Sequence, residues 1–288
     1  MKQIVVGADG SDIGLDAVAW AAREAELRDA SLRIVHAVVP WLFDVPADPQ
    51  AGAGREWLYD NGRAALDEAS ARAAATAPGV KVSTELIPGG PAKVLLEAAQ
   101  DADMVVVGST GVGQVVGALL GSVALQVVSY APRPAVVVRR LAPRDRGDVV
   151  VGVDGSASCR AALRFALQEA ELRGARVRAV LAFTHPVPLG PGDTRLPVYP
   201  ERLVAEEMRT LAESLGGHRQ EFPDVEVIQQ VVHAQPTRAL AEASDNAGLL
   251  VVGSRGRGGF TGLILGSVGH AMLHHARCPV AVVRPDAP

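Results

Sequence analysis

Two short glycine patterns carry the chemistry that this sequence advertises. The first reads Gly108-Ser109-Thr110-Gly111, then nine residues, then Gly121-Ser122; the second reads Gly253-Ser254-Arg255-Gly256, nine residues, then Gly266-Ser267. A glycine has no Cβ, so a backbone N–H can approach a ligand closely there. A helix that starts just after a glycine-serine pair offers free N–H groups and partial positive charge, which favour an anion. The expected chemistry is therefore the holding of phosphate groups. Asp9 and Asp154 stand earlier in each half, each in an Asp-Gly-Ser triplet. A carboxylate there can accept from ribose hydroxyls or help hold magnesium bound to phosphates. A plain turn with a serine helix cap would account for the same triplet, and turn formation for the same glycines.

Neither of two familiar phosphate loops is written here. No Gly-Lys-Ser/Thr closes either pattern, so it is not a P-loop. Gly111-Val112-Gly113 and Gly256-Arg257-Gly258 lack the third glycine of a dinucleotide fingerprint and follow the fourth strand of their half, not the first. The copies also differ. Arg255 and Arg257 stand where the first copy has Thr110 and Val112. Guanidinium groups favour phosphate, so tighter binding is expected in the second site.

Both patterns recur at an offset of 145 residues, and so does most of the chain. Ile4–Ser11 matches Val149–Ser156, Ala25–Arg28 matches Ala170–Arg173, and Pro134–Arg139 matches Pro279–Arg284. The register implies duplication of a whole domain. With 288 residues, two domains are expected, 1–143 and 144–288, joined by a charged, Pro- and Gly-bearing stretch. Within a half, short β-branched runs (Ile4–Val6, Leu32–Val39, Val80–Ile87, Met104–Val107, Ala135–Val138) alternate with helical stretches (Asp12–Asp29, Glu56–Ala77, Ala92–Gln100, Gly121–Ala131). That order predicts an α/β fold with a parallel sheet covered on both faces. It also places the glycine patterns at carboxyl ends of strands, where such sheets bind ligands.

Composition narrows the function. Hydrophobic residues are 48%, charged residues 21%, and the net charge is −4, so nucleic acid and anionic membranes are not expected partners. No apolar run reaches about 18 residues, which argues against a membrane span. The two cysteines, Cys159 and Cys278, form no disulfide framework, and the expected location is the cytoplasm.

The spacing Gly-x2-Gly-x9-Gly-Ser, the leading Val-Gly-x-Asp-Gly-Ser and the closing Pro-Val/Ala-x-Val-Val resemble the ATP-binding class of the universal stress protein family. The resemblance covers essentially the whole chain, once per half, in the tandem form. It implies a five-stranded parallel sheet of order 3-2-1-4-5 in each half. It also implies pairing between the last strands, Ala135–Val138 and Val280–Val283, as an intrachain pseudo-dimer, with further homodimerisation left open. It assigns ATP contacts to Asp9, Ala37, Gly108, Gly111, Gly121, Ser122 and Val123, and to Asp154, Ala182, Gly253, Gly256, Gly266, Ser267 and Val268. Arg255 adds a phosphate contact by its charge, and magnesium would come with the ATP phosphates near Asp9 and Asp154. The implied function is a stress-response regulator in which ATP tunes conformation or an unidentified protein partner. No catalytic residue is expected; the alternative is a slow ATPase or an adenylate-transferring enzyme on the same fold.

His274-His275 at a helix end, His36 and His185 near second-strand ends, and the two cysteines are read as structural. Trp41, Trp57 and Tyr59 cluster in the most irregular part of the first half, as a lid, a partner surface or ordinary packing.

Overall fold

The computed structural model describes residues 2–39, 51–111, 120–139, 147–184, 200–218, 220–256 and 265–285. The first half runs β1 (Gln3–Gly7), α1 (Asp12–Leu27), β2 (Ser31–Val38), α2 (Ala51–Thr76), β3 (Val82–Pro88), α3 (Pro91–Ala98), β4 (Met104–Gly108), α4 (Ser122–Tyr130) and β5 (Ala135–Val138). The second runs β6 (Asp148–Gly152), α5 (Ala157–Arg173), β7 (Val177–Phe183), α6 (Pro200–Gly216), β8 (Val227–His233), α7 (Pro236–Ala243), β9 (Ala247–Gly253), α8 (Ser267–His275) and β10 (Val280–Val283). Strands and helices alternate as the sequence predicts, and the chain is an α/β protein built twice. Element ends differ: α2 begins at Ala51, ahead of Glu56, and carries Trp57 and Tyr59 in its first half. Trp57 is 63% exposed, while Trp41 lies outside the described residues.

Two compact units result, Met1–Pro143 with Cys278–Val282, and Arg144–Arg277 with Val283–Pro288. In the first, the strands lie in the order β3-β2-β1-β4-β5, all parallel. This unit also contains most of β10, which pairs antiparallel with β5 (Val280 opposite Val137, Val282 opposite Ala135). In the second, β8-β7-β6-β9 lie side by side, all parallel. β1 and β6 therefore each sit between the strand that follows them and a strand from later in their half. The crevice where connections diverge to opposite sides opens at their carboxyl ends.

Valine runs form the middle of each sheet: Ile4–Val6 and Val149–Val151 have no exposed surface. β3 and β8 at the outer edges keep half-exposed positions, which explains their alternating sequences. Helices α1 and α5 start in the same way. Ser11 accepts from the Gly14 N–H and Ser156 from the Cys159 N–H, each as N-cap. The preceding glycines, Gly10 and Gly155, have φ of +81° and +77°, a region that a side chain would strain. Pro91 and Pro236 open α3 and α7 at the first turn, where a missing N–H costs nothing.

Each unit also buries one acid at a matched position. Glu24 is 1% exposed and Glu169 is 0% exposed, and each is paired with the arginine one turn later on its helix, Arg28 and Arg173. Asp148, at the start of β6, meets Arg178 at 2.8 Å and Arg176 at 3.1 Å. Burial works to raise its carboxyl, but the two guanidinium groups outweigh burial and hold it below the ordinary aspartate value. A depressed carboxylate contributes stability above its unfolded pKa and loses it as pH falls through the folded one. Asp148→Asn should therefore flatten the loss of stability below about pH 4, read as denaturation midpoints at pH 7 and pH 3. An unchanged difference between the two midpoints would refute this. Among the described residues, no helix is long and apolar enough to cross a membrane.

Candidate functional site

The Asp-Gly-Ser triplets fold as a turn that caps a helix and faces the crevice at once. In the first half, Asp9 Oδ1 accepts from the Ser11 N–H at 3.0 Å and the Ser11 hydroxyl at 2.6 Å, while Ser11 Oγ accepts from Gly14. Its other oxygen, Oδ2, faces Gly111 so closely that a Cβ there would collide with it. The second half repeats this: Asp154 Oδ1 accepts from the Ser156 N–H at 2.9 Å, and a Cβ on Gly256 would lie 2.6 Å from Asp154 Oδ2. One carboxylate oxygen thus holds the turn while the other lies against the glycine of the cradle.

The glycines of each pattern do different work: Gly111 lies against the Asp9 carboxylate, where the neighbouring strands β1 and β4 end. The space beside Gly108 is filled by Ile13 of α1, and that beside Gly253 by Ser158 of α5; a Cβ on either glycine would stand 3.0–3.2 Å from those residues. These two glycines let a helix pack tightly on a strand end. The loop that follows is closed at its far end by matched hydrogen bonds, Gly121 N–H to Ser109 C=O at 2.7 Å and Gly266 N–H to Ser254 C=O at 2.8 Å. Ser109 and Ser254 are buried.

Gly121 and Gly266 are the N-caps of α4 and α8, and neither supplies a side-chain cap. This contrasts with α1 and α5, whose serines cap them. The first turns of α4 and α8, with Ser122 and Val123 or Ser267 and Val268, keep the partial positive charge of a helix start for something else.

In the second unit these parts line one cavity of about 590 Å³. Asp154, Gly253, Arg255, Gly256, Gly266, Ser267 and Val268 form one end, and Val180, Ala182 and Phe183 of β7 form another wall. All the residues that the sequence assigns to the second site are therefore brought together. In the first unit, Asp9, Gly108, Gly111, Gly121 and their neighbours hold matching positions, and Ala37 in β2 corresponds to Ala182. Arg257, Val112 and His185 lie outside the described residues.

Three features of the site are not expected from the sequence. Arg139 and Arg284, which follow β5 and β10 at matched positions, are half-buried beside the cradle loops. The N–H of Ser109 donates to the carbonyl just before Arg139 (Val138, 2.7 Å), and that of Ser254 to the one just before Arg284 (Val283, 2.8 Å). Burial pushes both guanidinium groups down, and at Arg284 the charge of Arg255 adds to this, so two cations converge near the second cradle. Their recurrence at the repeat offset was the available signal. Cys159 lines the cavity, and burial pushes its thiol up, so it is a neutral wall. Glu207 of α6 also lines it; the matched residue in the first half is Gly62, so the repeat conceals it.

In sequence and fold the chain is similar to known proteins along nearly its whole length. The sequence profile of the universal stress protein family matches residues 1–139 and again 146–284. A universal stress protein of Mycolicibacterium smegmatis is 38% identical over 98% of this chain and 97% of its own length. One from Mycobacterium tuberculosis is 38% identical over 98% of this chain and 96% of its own. The crystal structure of a universal stress protein from Archaeoglobus fulgidus shares the fold, with a TM-score of 0.71 at 18% identity over 98% of both chains. With two family matches end to end and relatives alike over their full length, the chain belongs to the universal stress protein family in its tandem form.

Proposed function

We propose that the chain binds adenine nucleotides, ATP foremost, at one site in each half, and that occupancy tunes its conformation or a protein partner's access in a cytoplasmic stress response. The observation that carries this reading is the second-half cavity. Its volume suits a nucleotide-sized ligand. One end joins an uncapped helix start, the Asp154 carboxylate and Arg255, which suits phosphates and ribose; the other is apolar β7 wall, which suits a base. In this reading the Asp9 and Asp154 carboxylates hold ribose hydroxyls or a magnesium carried by the phosphates. The nucleotide is a ligand more than a consumed substrate.

Calorimetric titration of the full chain with ATP and magnesium, after removal of co-purified nucleotide, tests this. Two sites per chain are expected, the tighter one in the second half, where Arg255 and Arg284 concentrate positive charge. Gly121→Asp should then remove the weaker phase and Gly266→Asp the tighter. No heat of binding at millimolar ATP would defeat the proposal, and the reverse order of affinities would defeat the ranking.

A further inference from the structure

The two halves part company at the end of the site away from the phosphates. The matched alanines Ala37 and Ala182 are each followed by the last residue of their strand, Val38 in the first half and Phe183 in the second. Strand register sets Val38 opposite Pro88, and Phe183 opposite His233. The Phe183 and His233 rings lie 5.1 Å apart at centroids, tilted by 35°, so the imidazole backs the phenyl wall of the cavity. The third difference is on the helix above. α6 packs on β7 and β8, and its Glu207 lines the cavity. At the matched Gly62 of α2 that space is held by strand side chains: a Cβ there would lie 2.6 Å from Leu86 Cδ1 and 3.1 Å from His36 Cδ2. The corresponding strand residues in the second half are Leu181 and Val231. There the helix, not the strand, supplies the polar group.

Resting on the nucleotide reading above, we propose that Glu207 determines base specificity in the second half. Its carboxylate accepts the exocyclic amine of adenine, and Phe183, held by His233, supplies the flat apolar wall. A carboxylate is an acceptor only. It pairs with the 6-amino group of adenine and opposes the 6-oxo group of hypoxanthine. A buried group left facing the wrong partner rejects an analogue far more strongly than a missing contact does. The first half has Gly62, Val38 and Pro88 at these positions and lacks the device. The chain would thus carry one site that reads the base edge and one that does not.

The test is a pair of titrations, ATP and ITP, on the full chain carrying Gly121→Asp, which silences the first site. ATP is expected to bind at least about tenfold tighter than ITP, the order of one charged hydrogen bond gained or opposed. Glu207→Gln should narrow that ratio to within about threefold, mainly because ITP binds better, since an amide can donate to a 6-oxo group. Glu207→Ala should narrow it by weakening ATP. Improved ITP binding is an effect that mere structural damage would not produce, and melting curves check that each variant is folded. Equal affinities for ATP and ITP with Glu207 intact, or an unchanged ratio in both variants, would overturn the proposal while leaving a nucleotide site in place. Absence of binding by either nucleotide would overturn the nucleotide reading and this inference together.

Discussion

Gly266→Asp is expected to empty the second site without weakening the fold. Gly266 caps α8 with φ −68° and ψ 156°, a conformation open to any residue. A Cβ there would meet its nearest neighbours, Arg255 Cα and Ser254 O, at an ordinary 3.5 Å. Aspartate is moreover a favoured N-cap, so the new carboxylate should turn onto the first-turn N–H groups of α8. The helix then caps itself, as Ser156 already caps α5. Stability should hold or rise by a few tenths of a kcal/mol, while phosphates meet an occupied, negatively charged cradle. Like charge at such range costs several kcal/mol, so ATP affinity should fall by at least about a hundredfold. Calorimetry and a thermal melt on the same preparation give both numbers. Unchanged affinity would mean that phosphates do not reach α8, and a collapsed melting temperature would mean that the glycine is structural.

Arg173→Met should cost the second unit about 3 kcal/mol, because it takes a paired cation away from a carboxylate that has no exposed surface. Arg173 Nη2 lies 2.8 Å from Glu169 Oε2, with only 16% of its side chain exposed. It stands in the last turn of α5, where a cation also favours the helix dipole. Arg28→Met should act likewise in the first unit through Glu24, whose side chain is 1% exposed. The double variant Glu169→Leu with Arg173→Met should recover most of the loss, since an apolar pair needs no desolvated charge. Denaturant unfolding of the single and double variants forms a cycle. A single-variant loss under about 1 kcal/mol, the range of a surface pair, would show that the burial of Glu169 does not bear on stability.

The fold was legible because duplication writes each signal twice. The valine runs, the Asp-Gly-Ser turns and the glycine spacing recur in register, and each recurs in the same strand or helix context. What stayed hidden was what depends on the third dimension. Glu24-to-Arg28 spacing reads like an exposed helical pair, and only packing against the sheet shows the acid to be buried. Gly108 reads only as a ligand contact in sequence, and the structure adds that Ile13 fills its Cβ space. Glu207 was invisible for the opposite reason: a comparison that looks for matches passes over the positions where the copies disagree.

The assignment of Cys278–Val282 to the first unit has a consequence for synthesis. The unit translated first is completed last. Until Val282 has left the ribosome, β5 lacks its antiparallel neighbour, and the backbone edge of Ala135–Val137 that will pair with it stays open. An open strand edge in a nascent chain is a template for mispairing. The interval is set by the time needed to translate the whole second half. Slow translation or a stall there would leave an apolar valine edge waiting, and chaperone demand should track that delay.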